Sequence, residues 1–467
     1  MQETILNLVA KANAYLSDYI LIILLVGVGL FYSFKTRFVQ IRCFGEGMKR
    51  VFGGFKLKGD KNQSGLSSFQ ALATAIAAQV GTGNIVGASG AILVGGPGAI
   101  FWMWIIAFLG MATIYAEAVL AQETRIKDDN GEIHGGPVYY IKKAFPNGFG
   151  TFLGVFFAVA TILALGFMGT MVQSNSIAES CNNAFGIPVW AVGAVVAIIA
   201  AFIFLGGIQR IASVTEKLVP FMAGIFLVGG LVVLCIKIKF VPTTIGMIFK
   251  YAFTPDALIG GGIGYALKTA ISQGAKRGLF SNEAGMGSTP HAHAMANVEK
   301  PHDQGVAAMI GVFIDTFVVL TMTALVVITC LYTGNGPLAN LSGDAYIAAT
   351  SGETALVAKT TAMQTAVSIA LPWGNFGNIF VAVCLLFFAF STILSWNFFG
   401  KLNIQYLFKN KKWATVFYSV IAIGFIFLGS VLKNDLVWEL TDFFNYLMVI
   451  PNAIALFALS KLVIKNK

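Results

Sequence analysis

Two apolar stretches of this chain are long enough to cross a lipid bilayer, yet each is interrupted midway by a glycine-rich polar break. The first is LSSFQALATAIAAQVGTGNIVGASGAILV, residues 66 to 94, broken at Gly81, Thr82, Gly83 and Asn84. The second runs from about residue 264 to 296 and carries GLFSNEAGMGS in its middle. Lipid cannot satisfy free N–H and C=O groups, so unwound backbone at that depth must line a cavity or be enclosed by protein. Interrupted helices at corresponding places in two halves of a chain are the best sequence pointer to a solute and ion site near the midplane.

The composition agrees with a membrane location. Of 467 residues, 57% are hydrophobic and only 11% charged, which excludes a soluble multi-domain protein. Apolar runs of about 18 to 25 residues fall at roughly 17 to 34, 66 to 94, 98 to 120, 151 to 177, 188 to 207, 213 to 236, 264 to 296, 304 to 332, 375 to 400, 413 to 432 and 438 to 460, giving eleven expected spans. The first reads as a retained helix, because no small-residue cleavage site follows it. Five scattered cysteines with no paired spacing speak against a disulfide framework or a metal site. The net charge of +10 does not imply nucleic acid, because the basic residues are gathered in particular loops. Residues 35 to 61 hold eight Lys or Arg, with further clusters at 125 to 143, 401 to 412 and 461 to 467. Placing those loops in the cytoplasm satisfies the positive-inside rule, with the N-terminus outside and the C-terminus inside. The loop with Lys237, Lys239 and Lys250 then lies outside, against the trend.

Setting aside the first span, the remaining ten divide into two sets of five, residues 66 to 236 and 264 to 460, each beginning with a broken helix. Five is odd, so the second set starts from the opposite side of the membrane and the two are inverted. The expected fold is an all-α polytopic membrane protein, a single transmembrane domain over residues 1–467, with residues 17 to 34 as an extra N-terminal helix. Residues 134 to 145, HGGPVYYIKKAF, read as an interfacial helix on the cytoplasmic face. Residues 344 to 370 read as an external amphipathic helix that could serve as a lid.

Several residues offer chemistry. Gly81, Thr82, Gly83 and Asn84 present backbone N–H groups, uncrowded by large side chains, at the start of a half-helix, an arrangement that binds a carboxylate. Close helix packing through the glycines is the alternative. The spacing is not that of a dinucleotide fingerprint, and no strand precedes it. In the second break Phe280, Ser281 and Asn282 supply an aromatic wall and hydrogen-bonding groups. Glu283 beside them needs a partner, because a bare charge at the bilayer centre costs about 3 kcal/mol or more. Lys276 and Arg277, one to two turns earlier, are the available cations. Either they form a structural or gating ion pair with Glu283, or Glu283 ligates a cation or an amino group directly. Ser391 and Thr392 are adjacent hydroxyls in mid-span, with Trp396 on the face of Thr392. They either bond back to their own helix or hold a hard cation such as sodium through oxygen. Thr170 and Gln173, three apart, share a helix face and serve either as interhelical glue or as pocket lining. His291 and His293 point to different sides of a helix, so chelation is not expected. No catalytic grouping stands out, and an enzyme is not expected.

Taken together, GTGNIVG, GGPGAIFWMW (residues 95 to 104), KRGLFSNEAGMGS (276 to 288) and STILSW (391 to 396) resemble the sodium:alanine symporter family, over essentially the whole chain. The resemblance implies a leucine-transporter (LeuT) type fold, two inverted five-helix repeats with one extra N-terminal helix. It implies sodium-driven import of small neutral amino acids, alanine or glycine, by alternating access across a prokaryotic cytoplasmic (inner) membrane. Gly81 to Gly83 would then meet the substrate carboxylate, and Thr170, Gln173, Phe280 and Trp396 would line a small pocket. The carbonyls of Ala77 and Val80 with the hydroxyls of Ser391 and Thr392 would hold sodium. The expected partners are the amino acid, sodium and membrane lipid, with no other cofactor and no nucleic acid, acting on a monomer. A proton-coupled carrier of the same fold, with Glu283 as acceptor, and a non-transporting amino-acid sensor are the alternatives.

Overall fold

The computed structural model describes residues 2–53, 65–128, 131–260, 262–352 and 355–466. Part of the basic stretch at 35 to 61, including Lys56, Lys58 and Lys61, lies outside the described residues. The first long helix, α1 (Thr4–Lys35), begins well before the expected residue 17. The short amphipathic α2 (Phe44–Gly53) follows, and strand β1 (Leu66–Ser67) leads into α3 (Ser68–Gln79). A capping box closes the start of α3: Ser67 Oγ accepts from the Gln70 N–H while Gln70 Oε1 accepts from the Ser67 N–H. The chain then bends by 44° and continues as α4 (Gly83–Gly95). The rest of this half comprises α5 (Ala99–Thr124), a small hairpin of β2 (Ile126–Lys127) and β3 (Ile133–His134), α6 (Pro137–Ala144), α7 (Gly148–Phe185), α8 (Val189–Phe204) and α9 (Gly207–Ile236).

The second half opens with α10 (Val241–Phe253), a helix where the sequence suggests only a loop. It continues with α11 (Ile263–Asn282), α12 (Pro290–Ala294), β4 (Ala296–Asn297) and α13 (Pro301–Leu331). Two short helices, α14 (Gly343–Thr350) and α15 (Ala362–Ala370), precede α16 (Phe376–Leu407), α17 (Lys412–Val431) and α18 (Asn434–Ala458). The strands β1 and β4 pair in parallel, Leu66 with Ala296 and Ser67 with Asn297. Because β1 runs into α3 whereas β4 runs out of the α11–α12 segment, the two interrupted segments cross the protein in opposite directions. The inversion expected from an odd helix count is visible in that one pairing.

By length and apolarity, eight helices among the described residues suffice to span a membrane, and the bent pair α3–α4 makes a ninth. The difference from eleven lies in two segments. Helix α8 has 16 residues, short of the about 20 that a bilayer core requires, and α11 carries Lys268, Lys276 and Arg277. The single external helix expected over 344 to 370 is instead two, α14 and α15, parted after a Gly352 turn at φ 85°; residues 353 and 354 lie outside the described set. Helix α15 is packed into the protein, with Met363, Gln364, Ala366 and Val367 buried. Helix α6 forms where residues 134 to 145 were expected to be helical. Its apolar side, Val138, Tyr140 and Ile141, is covered by protein, and the Tyr140 hydroxyl donates to Asn452 Oδ1 of α18.

The glycine-proline block at 95 to 98 has a packing reason. A Cβ on Gly98 would lie 2.1 Å from the carbonyl carbon of Tyr251 and 2.2 Å from the nitrogen of Ala252, so the start of α5 rests directly on the backbone of α10. Trp102 Nε1 locks that contact by donating to the Ala252 carbonyl at 3.0 Å. Backbone cannot give way as a flexible side chain does. Gly98→Ala is therefore expected to lower stability by about 1–3 kcal/mol, read as a lower unfolding midpoint in detergent. Gly224→Ala, in α9 with nothing within 4 Å of the added carbon, should leave the midpoint unchanged.

Candidate substrate and ion site

Helix α3 ends at Gln79 because its next hydrogen bonds are diverted. The Gly81 N–H donates to Asn84 Oδ1 at 2.9 Å and the Thr82 N–H to Gln173 Oε1 at 3.1 Å, while the Asn84 N–H turns back to the Gly81 carbonyl at 3.3 Å. An unbroken helix would have given the Gly81 N–H to Ala77 and the Asn84 N–H to Val80. Both carbonyls are thereby released from the helical ladder.

The hydroxyls of α16 meet them. Thr392 Oγ1 lies 2.9 Å from the Ala77 carbonyl and 3.5 Å from that of Val80, and Ser391 Oγ lies 3.4 Å from Ala77. Each hydroxyl also reaches the Phe388 carbonyl of its own helix, at 2.8 Å for Ser391 and 3.1 Å for Thr392. All four residues are buried. A Cβ on Gly81 would fall 2.4 Å from Thr392 Oγ1, so only glycine permits this approach. Four neutral oxygens from two helices, enclosed and close together, fit a small hard cation that prefers oxygen.

Next to this cradle lie buried polar atoms without protein partners: Thr82 Oγ1, Gln173 Nε2, Gln79 Oε1 and Ser395 Oγ. Buried polar groups are nearly always paired, so these atoms have hydrogen-bonding capacity to spare. Phe280 and Trp396 meet edge to face at 5.7 Å, and Trp438 of α18 covers Phe280 at 4.7 Å. Gly83 sits where a Cβ would come 3.0 Å from Phe280. Thr170 is adjacent in sequence to this group, but its hydroxyl donates to Gly166 and Phe167 of its own helix, at 3.2 and 2.8 Å. Ser281 and Asn282 face α13: Ser281 Oγ donates to Asp315 Oδ2 at 2.9 Å, and Asn282 Nδ2 to Thr316 Oγ1 at 3.2 Å.

The expected pairing of Glu283 with Lys276 or Arg277 does not occur. Helix α11 stops at Asn282, and Glu283 takes a left-handed conformation at φ 59° that turns its side chain away from the preceding turns. Its carboxylate accepts from Trp396 Nε1 at 2.5 Å and from the Ser288 hydroxyl. Lys276 instead approaches Asp18 of α1 at 3.9 Å, and Arg277 pairs with Asp442 of α18 at 3.0 Å.

Three further carboxylates carry the surroundings of the site, and two of them, Asp315 and Glu117, stand nearly alone in apolar runs, the usual mark of an intramembrane functional group. Asp315 accepts from Asn84 Nδ2 at 2.6 Å, which joins the two breaks. Glu117 accepts from Asn452 Nδ2 at 2.6 Å and from the Gly285 N–H at 3.2 Å, holding the second break to α5 and α18. Asp442 receives Arg277. The site is covered on both sides. On one, the Arg277 guanidinium lies 4.6 Å over the Trp438 ring beside its ion pair. On the other, β1 and β4 close together, and Gln122 Nε2 and the Arg125 guanidinium donate to the Ala296 carbonyl.

Comparison with known proteins places this geometry. Residues 2–467 match the sodium:alanine symporter family. The sodium/alanine symporter AgcS of Methanococcus maripaludis is 39% identical over 461 residues, covering 98% of this chain and 96% of AgcS. YrbD of Bacillus subtilis, provisionally named a sodium/proton-dependent alanine carrier protein, is 40% identical over 458 residues, with 97% of this chain and 90% of YrbD covered. Among solved structures, MhsT in complex with L-phenylalanine superposes with a TM-score of 0.58 at 14% identity, over 86% of this chain and 99% of that one. At that identity the likeness shows the fold alone, which is LeuT-type. The relatives are transporters, and this chain is a multi-pass membrane transporter rather than an enzyme. The chain belongs to the sodium:alanine symporter family.

Proposed function

We propose that this chain is a sodium-coupled symporter that imports small neutral amino acids, alanine and glycine, by alternating access. The observation that carries the reading is the meeting of the Ala77 and Val80 carbonyls with the Ser391 and Thr392 hydroxyls, beside the unpaired polar atoms at the first break. Sodium bound among those oxygens ties α3 to α16 and fixes the Gly81 to Asn84 turn. A zwitterion then finds the Gly81, Thr82 and Gly83 amides at a helix start for its carboxylate, with Gln173 and Thr82 alongside. Occupation by the carboxylate displaces the Asn84 and Gln173 side chains that now accept from Gly81 and Thr82. Phe280 and Trp396 bound the space for the side chain, which favours alanine, glycine and serine over leucine.

Sodium binds first in this scheme. A membrane potential supplies ~2.3 kcal/mol per charge at ~100 mV, and a tenfold sodium gradient adds ~1.4 kcal/mol. One sodium then sustains an amino-acid gradient on the order of several hundredfold. The distribution of Lys and Arg among the loops supports a cytoplasmic-membrane location with the C-terminus inside. Proton coupling is the second reading. It rests on Glu283, a buried carboxylate whose partners are Trp396 and Ser288.

In proteoliposomes, replacing external sodium by potassium at constant pH should abolish concentrative uptake of radiolabelled alanine; uptake that follows a pH gradient and ignores sodium would transfer the coupling to Glu283. Thr392→Ala should raise the sodium concentration for half-maximal uptake at least tenfold, whereas Thr392→Ser, which keeps the hydroxyl, should stay near wild type. Trp396→Phe should let leucine compete with alanine; unchanged exclusion of leucine would remove Trp396 as the boundary of the pocket.

A further inference from the structure

Away from the transport site, α2 packs against the first turns of α13, and Gly47 makes the approach possible. A Cβ there would lie 2.8 Å from the Val306 carbonyl oxygen and 2.7 Å from Ile310 Cγ1. The contact brings together three unlike donors, the Cys43 thiol, a Glu46 carboxylate oxygen and a His302 ring nitrogen, all within 4.8 Å of one another. Glu46 divides its two oxygens. Oε1 accepts from Arg50 at 3.1 and 3.2 Å, while Oε2 faces His302 Nε2 at 3.3 Å.

The other side of the imidazole meets a hydroxyl. His302 Nδ1 is 2.7 Å from the Tyr115 hydroxyl, and that hydroxyl donates to the Asn466 carbonyl at 3.3 Å. A hydroxyl has one proton to give, and a carbonyl only accepts. With the proton on the Asn466 side, the Tyr115 oxygen accepts from Nδ1–H, and Nε2 of the neutral ring turns a lone pair toward Glu46 Oε2, which also bears only lone pairs. In that arrangement a cation belongs between the two acceptors, whereas with the hydroxyl proton on Nδ1 it is Nε2–H that donates to Glu46.

We propose that Cys43, Glu46 and His302 form a site for a borderline-soft divalent cation of the zinc type, which staples α2 to the base of α13. Sulfur, nitrogen and oxygen donors together select such an ion over the hard cations that oxygen alone would hold. Ligand bonds of about 2.0–2.3 Å in a tetrahedron place donors within about 4 Å of one another, close to the separations here. The exposed Glu46 leaves a fourth position open to water, and Tyr115 supplies the outer hydrogen bond that orients a ligating histidine. The proposal is independent of the transport reading, and its test reads metal rather than uptake.

Purified full-length protein, stripped of metal, would be titrated with Co2+ and followed by absorption. One equivalent is expected, with a thiolate charge-transfer band in the near ultraviolet and loss of the band on adding Zn2+. Cys43→Ser should abolish the band, and His302→Gln and Glu46→Gln should each weaken binding at least tenfold. Tyr115→Phe should weaken it by about 10–100-fold while the band remains. Cys235→Ser, at the exposed cysteine, should change nothing. A wild-type titration without the band, or a band that survives Cys43→Ser, would overturn the site and leave a proton as the cation between His302 and Glu46. Unchanged binding in the well-folded Glu46→Gln variant would overturn it equally.

Discussion

Backbone released from a helix inside a membrane has no water to turn to, and this fold is arranged around satisfying it. Each unmet N–H or C=O in such an interior costs several kcal/mol. The Gly81 and Thr82 amides are met by Asn84 and Gln173, and the Ala77 and Val80 carbonyls by the hydroxyls of α16. Every one of those partners is a side chain that a ligand could replace. The break is therefore satisfied without ligands, and the proposed site depends on those partners being displaceable.

The second break answers the same problem with carboxylates. Glu117 takes the Gly285 amide, and the Glu283 carboxylate takes the Trp396 indole and the Ser288 hydroxyl. Asp315 gathers Asn84 and Ser281, so the two interruptions share one hydrogen-bonded group. A movement that shifts α4 relative to α11 must therefore rearrange Asp315 as well. The first break contributes carbonyl oxygens and the second contributes carboxyl groups, so both line this interior with oxygen.

Much of this was legible in the sequence because the polar interruptions stand out against apolar surroundings. The GTGN break and the paired hydroxyls of Ser391 and Thr392 are residues whose chemistry is out of place in lipid, whereas the approach to Ala77 and Val80 and the grouping of Phe280 with Trp396 came from the family resemblance. What could not be read was which charge meets which. Lys276 and Arg277 are close to Glu283 along the chain, yet a helix that ends at Asn282 sends them to Asp18 and Asp442 on helices hundreds of residues away in one direction or the other. Periodicity locates a helix but not its neighbours. The same limit applies to residues 344 to 370, which read as one external amphipathic helix because their pattern gives no hint of what packs against α15. Asp315 and Glu117 were different, because a solitary carboxylate in an apolar run was visible and simply went unweighed.

The pairing of β1 with β4 is only two residues long on each strand and is made by main chain. Its grip is thus indifferent to which side chains occupy those positions and sensitive to anything that removes an amide. A latch of this kind parts by local fraying, and its release must also free the Ala296 carbonyl from Gln122 and Arg125. Proline in place of Leu66 would remove the amide that bonds the Met295 carbonyl, while Ser67 is held by a second duty, because its hydroxyl caps the start of α3.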